Sequence, residues 1–284
     1  MNFGAIEPEC AAYDRATFVV IPVPYDLTST YQSGSRLGPA AILAASANME
    51  LYDEELGKET FREGIYTAGA VEVDARGPDR MPVAVRQIVS DVLVDRKIPV
   101  LLGGEHSITL GAVQAAKEAY PALQVLQLDA HADLRESYQG TPYSHACIGR
   151  RIVELCPLVQ AGIRSMSREE ALFLAGGGVK SFSADFILDE PDWASRICAH
   201  LEGDVYVTID LDVLDPAYMP ATGTPEPGGI SWRDLVRLIR VVAGKCRIRG
   251  FDVVELSPLP GQVAADFLAA KLVYRIMGYL TGKK

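Results

Sequence analysis

Short apolar runs rich in β-branched residues alternate with longer amphipathic stretches along almost the whole chain. This alternation is typical of a doubly wound α/β fold, because parallel strands need long crossover connections. The predicted strands are 17–22, 66–71, 97–102, 124–129, 158–163, 179–182, 204–210 and 248–254. The predicted helices are 39–51, 82–96, 107–119, 167–174, 191–201, 231–243 and 262–280, and Ser231 with Asp234 indicates a capping box.

No low-complexity linker or internal repeat interrupts this pattern, so a single domain over residues 1–284 is expected. A hydrophobic content of 49% with 23% charged residues is ordinary for a globular protein with a substantial core. The net charge of −10 argues against a nucleic-acid partner, which requires a basic surface, and mildly favours cationic small molecules.

The five cysteines are scattered and include no CxxC pair, which argues against a disulfide framework. The first residues lack the basic start and apolar stretch of a secretory signal, and no apolar run is long enough to span a bilayer. We therefore expect a soluble cytoplasmic protein with no membrane partner.

Six candidate metal ligands follow three of the predicted strands, and they are His106, Asp129, His131, Asp133, Asp210 and Asp212. Asp129, His131 and Asp133 are spaced two residues apart, as are Asp210 and Asp212. Side chains two apart on extended backbone share a face. If the three strands end side by side, four carboxylates and two imidazoles meet in one small volume. Four like charges need cations to share such a site, so we predict two divalent metal ions.

Oxygen and nitrogen donors without a thiolate favour hard or borderline metals. Zinc prefers fewer ligands, so Mn²⁺ is expected, with cobalt or iron as alternatives. Cys147 follows His145 closely, and we interpret it as a buried residue and not a ligand. Two metals that share a water molecule serve the hydrolysis of phosphates, amides or amidines, and the ligands alone do not choose among these reactions.

Three other classes of protein fit the sequence less well. A two-metal phosphatase would need an Arg or Lys clamp beside the ligands, and a single-zinc deacetylase would need an adjacent histidine pair that this chain lacks. A non-catalytic binding module would be expected to lack one or more of the ligands.

Several motifs resemble those of the ureohydrolase family, which comprises arginase, agmatinase and related guanidino hydrolases. They are Gly-Gly-Glu-His-Ser at 103–107, Asp-Ala-His-Ala-Asp at 129–133, Tyr-Ser-His-Ala at 143–146, the long segment 210–229 and Asp-Val-Val-Glu-Leu-Ser-Pro at 252–258. The likeness runs from residue 24 to the C-terminal helix. It implies a three-layer α/β/α fold around an eight-stranded parallel sheet, and hydrolysis of a guanidinium group to urea and an amine by two Mn²⁺ ions.

The resemblance also assigns the ligands. The first metal would be held by His106, Asp129, Asp133 and Asp210, and the second by His131, Asp129, Asp210 and Asp212. Asp129 and Asp210 would then bridge the two ions. Family members are typically trimers or hexamers, so the resemblance implies a homo-oligomer.

Further residues acquire roles by the same resemblance. Glu255 matches the carboxylate that binds the guanidinium fork. Asp133 would pass a proton to the departing nitrogen, and His145 matches a proton-shuttling histidine. Thr224 would line the guanidinium pocket, while Glu105 would steer His106.

The loop 134–144 contains no Asn and looks more like the loops of agmatinases than those of arginases. We therefore predict hydrolysis of agmatine to putrescine and urea, with a guanidino acid such as 4-guanidinobutyrate, or arginine, as the alternative. Arg135 would repel the amine of agmatine, so it is expected to point away from the pocket. An inward Arg135 would favour the guanidino acid.

Overall fold

Eight parallel strands form the central sheet of the protein, whose computed structural model describes residues 2–281. In chain order the strands are β1 (Phe18–Val23), the short pair β2 (Tyr52–Asp53) and β3 (Lys58–Glu59), β4 (Ile65–Thr67), β5 (Ile98–Gly103), β6 (Gln124–Leu128), β7 (Leu158–Ile163), β8 (Lys180–Ser183), β9 (Asp204–Asp210) and β10 (Arg247–Val254). The order across the sheet is β4-β1-β5-β10-β9-β6-β7-β8, and β2 and β3 form a separate antiparallel pair.

Helices cover both faces of the sheet. They are α1 (Gly38–Ser46), α2 (Arg80–Val94), α3 (Thr109–Ala119), α4 (Ile148–Val153), α5 (Arg168–Ala175), α6 (Ala184–Asp189), α7 (Trp193–Cys198), α8 (Trp232–Lys245) and α9 (Ala264–Leu280). One apolar layer packs α1 and α6–α9 on the sheet, and the other packs α2–α5 on its opposite face. Strands buried on both faces explain the continuous apolar runs in the sequence.

All eight predicted strands occur, and the predicted three-layer α/β/α fold is confirmed. The predicted strand 66–71 was too long, because β4 ends at Thr67. Residues 69 and 70 are exposed, although Ala68 and Val71 still donate backbone hydrogen bonds to the segment of β1. The β2–β3 pair and helices α4 and α6 were not predicted, and the capping box of Ser231 and Asp234 at α8 is confirmed.

The ligand-bearing strands occupy the middle of the sheet. The central order β5-β10-β9-β6 brings together their carboxyl ends, where ligand sites form in open α/β sheets. Among the residues that the structure describes, no helix is long and apolar enough to cross a membrane.

Candidate metal centre

The six candidate ligands come together at the carboxyl ends of β5, β6 and β9. Nδ1 of His106 lies 3.1 Å from Oδ2 of Asp129, 3.4 Å from Oδ2 of Asp133 and 3.5 Å from Oδ2 of Asp210. This first group is almost completely buried. Its donor atoms lie close enough together for one cation to contact several of them at once.

A second group shares Asp129 with the first. Nδ1 of His131 lies 2.9 Å from Oδ2 of Asp212 and 3.7 Å from Oδ1 of Asp129. Asp129 thus turns one carboxylate oxygen toward each histidine, as a bridging ligand would. Oδ1 of Asp210 accepts a hydrogen bond from the backbone of Asp212, and its Oδ2 faces the first group. A bridging role of Asp210 stays a prediction.

Turns, and not extended strands, place most of these side chains. β6 ends at Leu128, and the next turn is fixed by a hydrogen bond from His131 N to Oδ1 of Asp129. Similarly, Asp212 lies in a 3₁₀ turn after β9 and donates its N–H to Asp210. The structure brings together the residues that the sequence grouped, but the premise of extended backbone through 133 and 212 was wrong.

Two non-glycine residues at the site have left-handed backbone, with φ of +51° at Asp133 and +66° at Glu255. Such conformations cost free energy and persist where the surrounding structure imposes them. The N–H of Glu255 is held by the carbonyl of Gly104 at 2.7 Å. Both side chains are thereby directed by backbone that ordinary strand continuation would not produce.

The pKa values of several side chains at the site are shifted so that these groups retain protons. Burial raises the pKa of Asp210 well above its usual value, and burial with the charge of Asp129 raises the pKa of Asp133 to about 7. Burial lowers the pKa of His131, but Asp212 outweighs it and raises that pKa to about 11. The pKa of His106 also lies well above its usual value, because its three carboxylate neighbours outweigh burial. Protons are thus retained where bound cations would replace them.

One buried atom tests whether the residues fit a metal. Within residues 2–281, Nδ1 of His106 is buried and has no hydrogen-bond partner, although three carboxylates surround it. Its Nε2 lies 2.8 Å from Oγ1 of Thr208. A metal-ligating imidazole typically binds the ion through one nitrogen and forms a hydrogen bond through the other, and His106 offers both nitrogens in this way if a cation lies among the three carboxylates. The donor set therefore fits divalent metal ions.

A cavity of ≈ 280 Å³ opens onto the ligands, with His131, Asp133 and Asp210 in its wall. His145 and Thr224 line it as well. The backbone N–H of His145 donates to Oγ1 of Thr28 at 3.2 Å. Burial lowers the pKa of His145 to about 4, so the imidazole is neutral at pH 7.

Glu255 lies beside the first ligand. Its Oε1 accepts the backbone N–H of His106 at 2.7 Å. Burial, reinforced by the charge of Glu105, raises the pKa of Glu255 well above its usual value. A cation bound nearby would stabilise the ionised form, as expected of a group that binds a guanidinium.

Two sequence-based expectations at the site were wrong. Arg135 lines the cavity, with its guanidinium over the ring of Tyr138 and its Nε 3.8 Å from Oε2 of buried Glu170. The carboxylate and the ring hold the side chain there. Glu105 does not contact the imidazole of His106; its carboxylate accepts hydrogen bonds from Thr28 and Ser107.

Sequence reasoning also missed Arg164, which follows β7 directly. Its guanidinium donates to the carbonyls of Asp212 at 2.6 Å, Glu226 at 2.8 Å and Pro227 at 3.1 Å. These bonds fasten both ends of the 213–230 loop, which carries Thr224, beside the second group of ligands. An arginine at the carboxyl end of a parallel strand was the available signal.

The fold and these residues define a class of α/β/α proteins with a candidate metal site at the carboxyl ends of the central strands. The arginase family matches residues 16–278. The chain is 42% identical over 269 residues to an N(1)-aminopropylagmatine ureohydrolase of Thermus thermophilus, covering 94% of this chain and 92% of that protein. It is 37% identical over 276 residues to a protein of the same name from Synechocystis sp., covering 94% and 90% of the two chains.

A solved structure is similar over almost the entire chain. The agmatine ureohydrolase of Thermoplasma volcanium superposes with a TM-score of 0.89 at 36% identity, covering 99% of this chain and 94% of that one. The chain belongs to the arginase family. The predicted ureohydrolase resemblance is thereby confirmed, together with the predicted class of enzyme, a hydrolase of guanidino compounds.

Proposed function

We propose that this protein is a binuclear manganese hydrolase that releases urea from a guanidino group carried on a polyamine chain. Agmatine, as predicted, and its aminopropyl derivative are the proposed substrates. The observation that carries the proposal is the unpartnered Nδ1 of buried His106, which faces three carboxylates directly beside Glu255. The names of the relatives support the choice of a polyamine chain.

The overall reaction converts one guanidinium cation and one water into urea and an alkylammonium ion. Two Mn²⁺ ions held by the six ligands would lower the pKa of a shared water and hold it for attack. Glu255 keeps one oxygen on the N–H of His106, and its carboxylate orients the planar guanidinium by charge-assisted hydrogen bonds.

Proton movement falls to Asp133 and His145. Asp133 lies in the cavity wall, where its carboxylate can accept a proton from the attacking water and donate it to the amine nitrogen as the C–N bond breaks. Neutral His145 lines the same cavity and can carry protons between this centre and solvent.

Arg135 favours a second candidate. A guanidinium in the cavity wall would attract the carboxylate of a guanidino acid such as 4-guanidinobutyrate. Its charge is countered, however, by buried Glu170 at 3.8 Å, and its face is covered by Tyr138. We therefore keep the polyamine substrates as the proposal and the guanidino acid as the alternative.

Urea release in the presence of Mn²⁺ tests the proposal, with agmatine, N(1)-aminopropylagmatine, arginine and 4-guanidinobutyrate compared at equal concentration. We expect kcat/KM to be highest for one of the two polyamine substrates. Preference for 4-guanidinobutyrate would overturn the substrate assignment only. Release of urea from none of the four would contradict the proposed activity. The cytoplasmic location and the homotrimer or homohexamer remain predictions. Light scattering in solution would measure the oligomeric state.

A further inference from the structure

Behind the first ligand lies a buried chain of polar side chains that ends at Asp252. Thr208 and Asp252 are direct neighbours in the registers of β9 and β10. Oγ1 of Thr208 lies 2.8 Å from Nε2 of His106 and 2.6 Å from Oδ1 of Asp252. All three side chains are fully buried. None of the roles assigned above uses Thr208 or Asp252.

Three hydroxyl groups converge on the Asp252 carboxylate. Thr208 donates to Oδ1, whereas Tyr206 and Thr109 donate to Oδ2 at 2.9 Å and 3.0 Å. An ionised carboxylate only accepts hydrogen bonds, and a hydroxyl has a single proton to give. The proton of Thr208 is therefore committed to Asp252.

This commitment fixes the imidazole of His106. Because Thr208 donates to Asp252, its oxygen can only accept from Nε2 of His106. Nε2 then carries a proton, and the lone pair of Nδ1 is left for a cation among Asp129, Asp133 and Asp210. His131 differs, since its side chain is partly exposed and its Nε2 lies 3.7 Å from a carboxylate oxygen of Glu226.

We propose that Asp252, acting through Thr208, is a positioning residue that sets the proton arrangement of His106 for metal binding. The inference deepens the proposed function and rests on it, because it concerns the same two-metal site. Groups hydrogen-bonded behind a metal ligand typically contribute about 10- to 100-fold in metal affinity.

Thr208→Val tests the chain, because valine has the shape of threonine without the hydroxyl. The dissociation constants for Mn²⁺ alone are measured by competition with a chelator on full-length wild-type and variant proteins. We expect Thr208→Val to weaken binding of one of the two ions by about 10- to 100-fold. Thr208→Ser restores the hydroxyl and should return the affinity to within about 3-fold of wild type, a recovery that loss of side-chain packing alone would not show.

Tyr206→Phe is the matched control. It removes one hydrogen bond to the same carboxylate but leaves the link from Asp252 to His106 intact. The thermal midpoints of the metal-free proteins are measured in parallel. A purely structural network predicts lower midpoints for both variants with unchanged Mn²⁺ affinity, and that result would overturn the proposal.

Asp252→Asn provides a second route if Thr208→Val fails to fold. With two hydroxyls donating to the Oδ2 position, the amide oxygen belongs there, and its NH₂ group faces Thr208. Thr208 would then accept from the amide and donate to Nε2, which moves the imidazole proton to Nδ1. We expect Asp252→Asn to weaken Mn²⁺ binding at least as much as Thr208→Val; wild-type affinity in this variant would contradict the inference.

Different results would overturn the proposed function and the proposed role of Asp252. Wild-type protein that binds no Mn²⁺ and releases no urea overturns the proposed function. Wild-type protein that binds two Mn²⁺ ions, with Thr208→Val and Asp252→Asn binding them equally well, overturns only the role of Asp252.

Discussion

Oε1 of Glu255 accepts the backbone N–H of His106 at 2.7 Å. The carboxylate proposed to bind the guanidinium is thereby tied to the main chain of the first metal ligand. Substrate orientation and metal position are coupled through this one contact, since movement of the β5 end would displace both groups.

Glu255→Gln should mainly impair productive binding of the substrate. The amide keeps an oxygen for the N–H of His106 but cannot form charge-assisted hydrogen bonds to a guanidinium. Loss of such bonds typically costs about 1.5–3 kcal/mol, so kcat/KM should fall roughly 10- to 100-fold. Steady-state urea release measures this change. Bound Mn²⁺, determined by metal analysis, should stay at the wild-type amount, and metal loss would point to a ligand role instead.

Asp129→Asn should remove metal and activity together. One oxygen of Asp129 faces each histidine, and an amide offers a neutral and weaker ligand in place of a carboxylate. Mn²⁺ affinity should fall by more than about 100-fold, the upper value for groups behind a ligand. Asp189→Asn, at the exposed end of α6, is the control and should leave both properties unchanged. Full turnover with two retained ions would refute the bridging role.

Binding of Mn²⁺ to the metal-free protein should release protons, and Asp133 should contribute one of them at pH 6 but none at pH 8. With its pKa near 7, Asp133 holds a proton at pH 6 and has lost it at pH 8. The pKa of His131, about 11, keeps that imidazole charged at both pH values, so its proton is released in each case. Calorimetry in buffers of different ionisation enthalpy counts these protons. Asp133→Asn is measured beside the wild type, because a metal-bound water would also release protons at pH 8. Equal proton counts for the two proteins at pH 6 would exclude the expected state of Asp133.

Arg135→Gln separates the two candidate substrate classes. If the substrate tail is cationic, removal of this charge should lower KM for agmatine by about 2- to 5-fold, as for partly exposed charge pairs. The same substitution should raise KM for a guanidino acid, which loses an attractive partner. Arg168→Gln, on the exposed start of α5, changes net charge equally and should alter neither KM. A higher KM for agmatine in Arg135→Gln would contradict the proposed substrate class.

Gly104→Ala should destabilise the protein, because a Cβ at this position would lie 1.9 Å from the carbonyl oxygen of Tyr25. The backbone after β5 would have to move, at a cost of about 1–3 kcal/mol or more. Gly69→Ala is the control, since its Cβ would meet nothing within 4 Å in the described structure. Thermal unfolding of both variants checks the difference. Equal thermal midpoints for Gly104→Ala and Gly69→Ala would contradict the prediction and would show that the backbone at Tyr25 moves at little cost in free energy.

The sequence predicted the middle of the sheet well because strands such as β1 and β9 are buried on both faces and therefore read as continuous apolar runs. It grouped the ligands because they follow such runs. It could not show the left-handed backbone at Asp133 and Glu255, which depends on contacts with other strands. The buried chain from His106 to Asp252 was missed for a different reason. Thr208 precedes Asp210 by two residues on β9, but its neighbour on β10 is fixed by a register that only the fold reveals.

The short β2–β3 pair was not predicted from the sequence for another reason. Its two-residue strands carry no periodic pattern, and Asp53 is buried against Arg275 of α9, far along the chain. The placement of Arg135 likewise depends on Glu170, which comes from a later helix. Both features result from pairing between distant charged side chains, which a single sequence does not specify.

The position of β10 between β5 and β9 has a consequence for the order in which the site forms during folding. The last strand of this sheet in chain order lies in its middle, and it carries Asp252 and leads directly into Glu255. The part of the chain before residue 247 contains all six ligands, yet it lacks β10, the strand that lies between β5 and β9. The complete arrangement of the ligands and the groups behind them therefore forms only after β10 has entered the sheet.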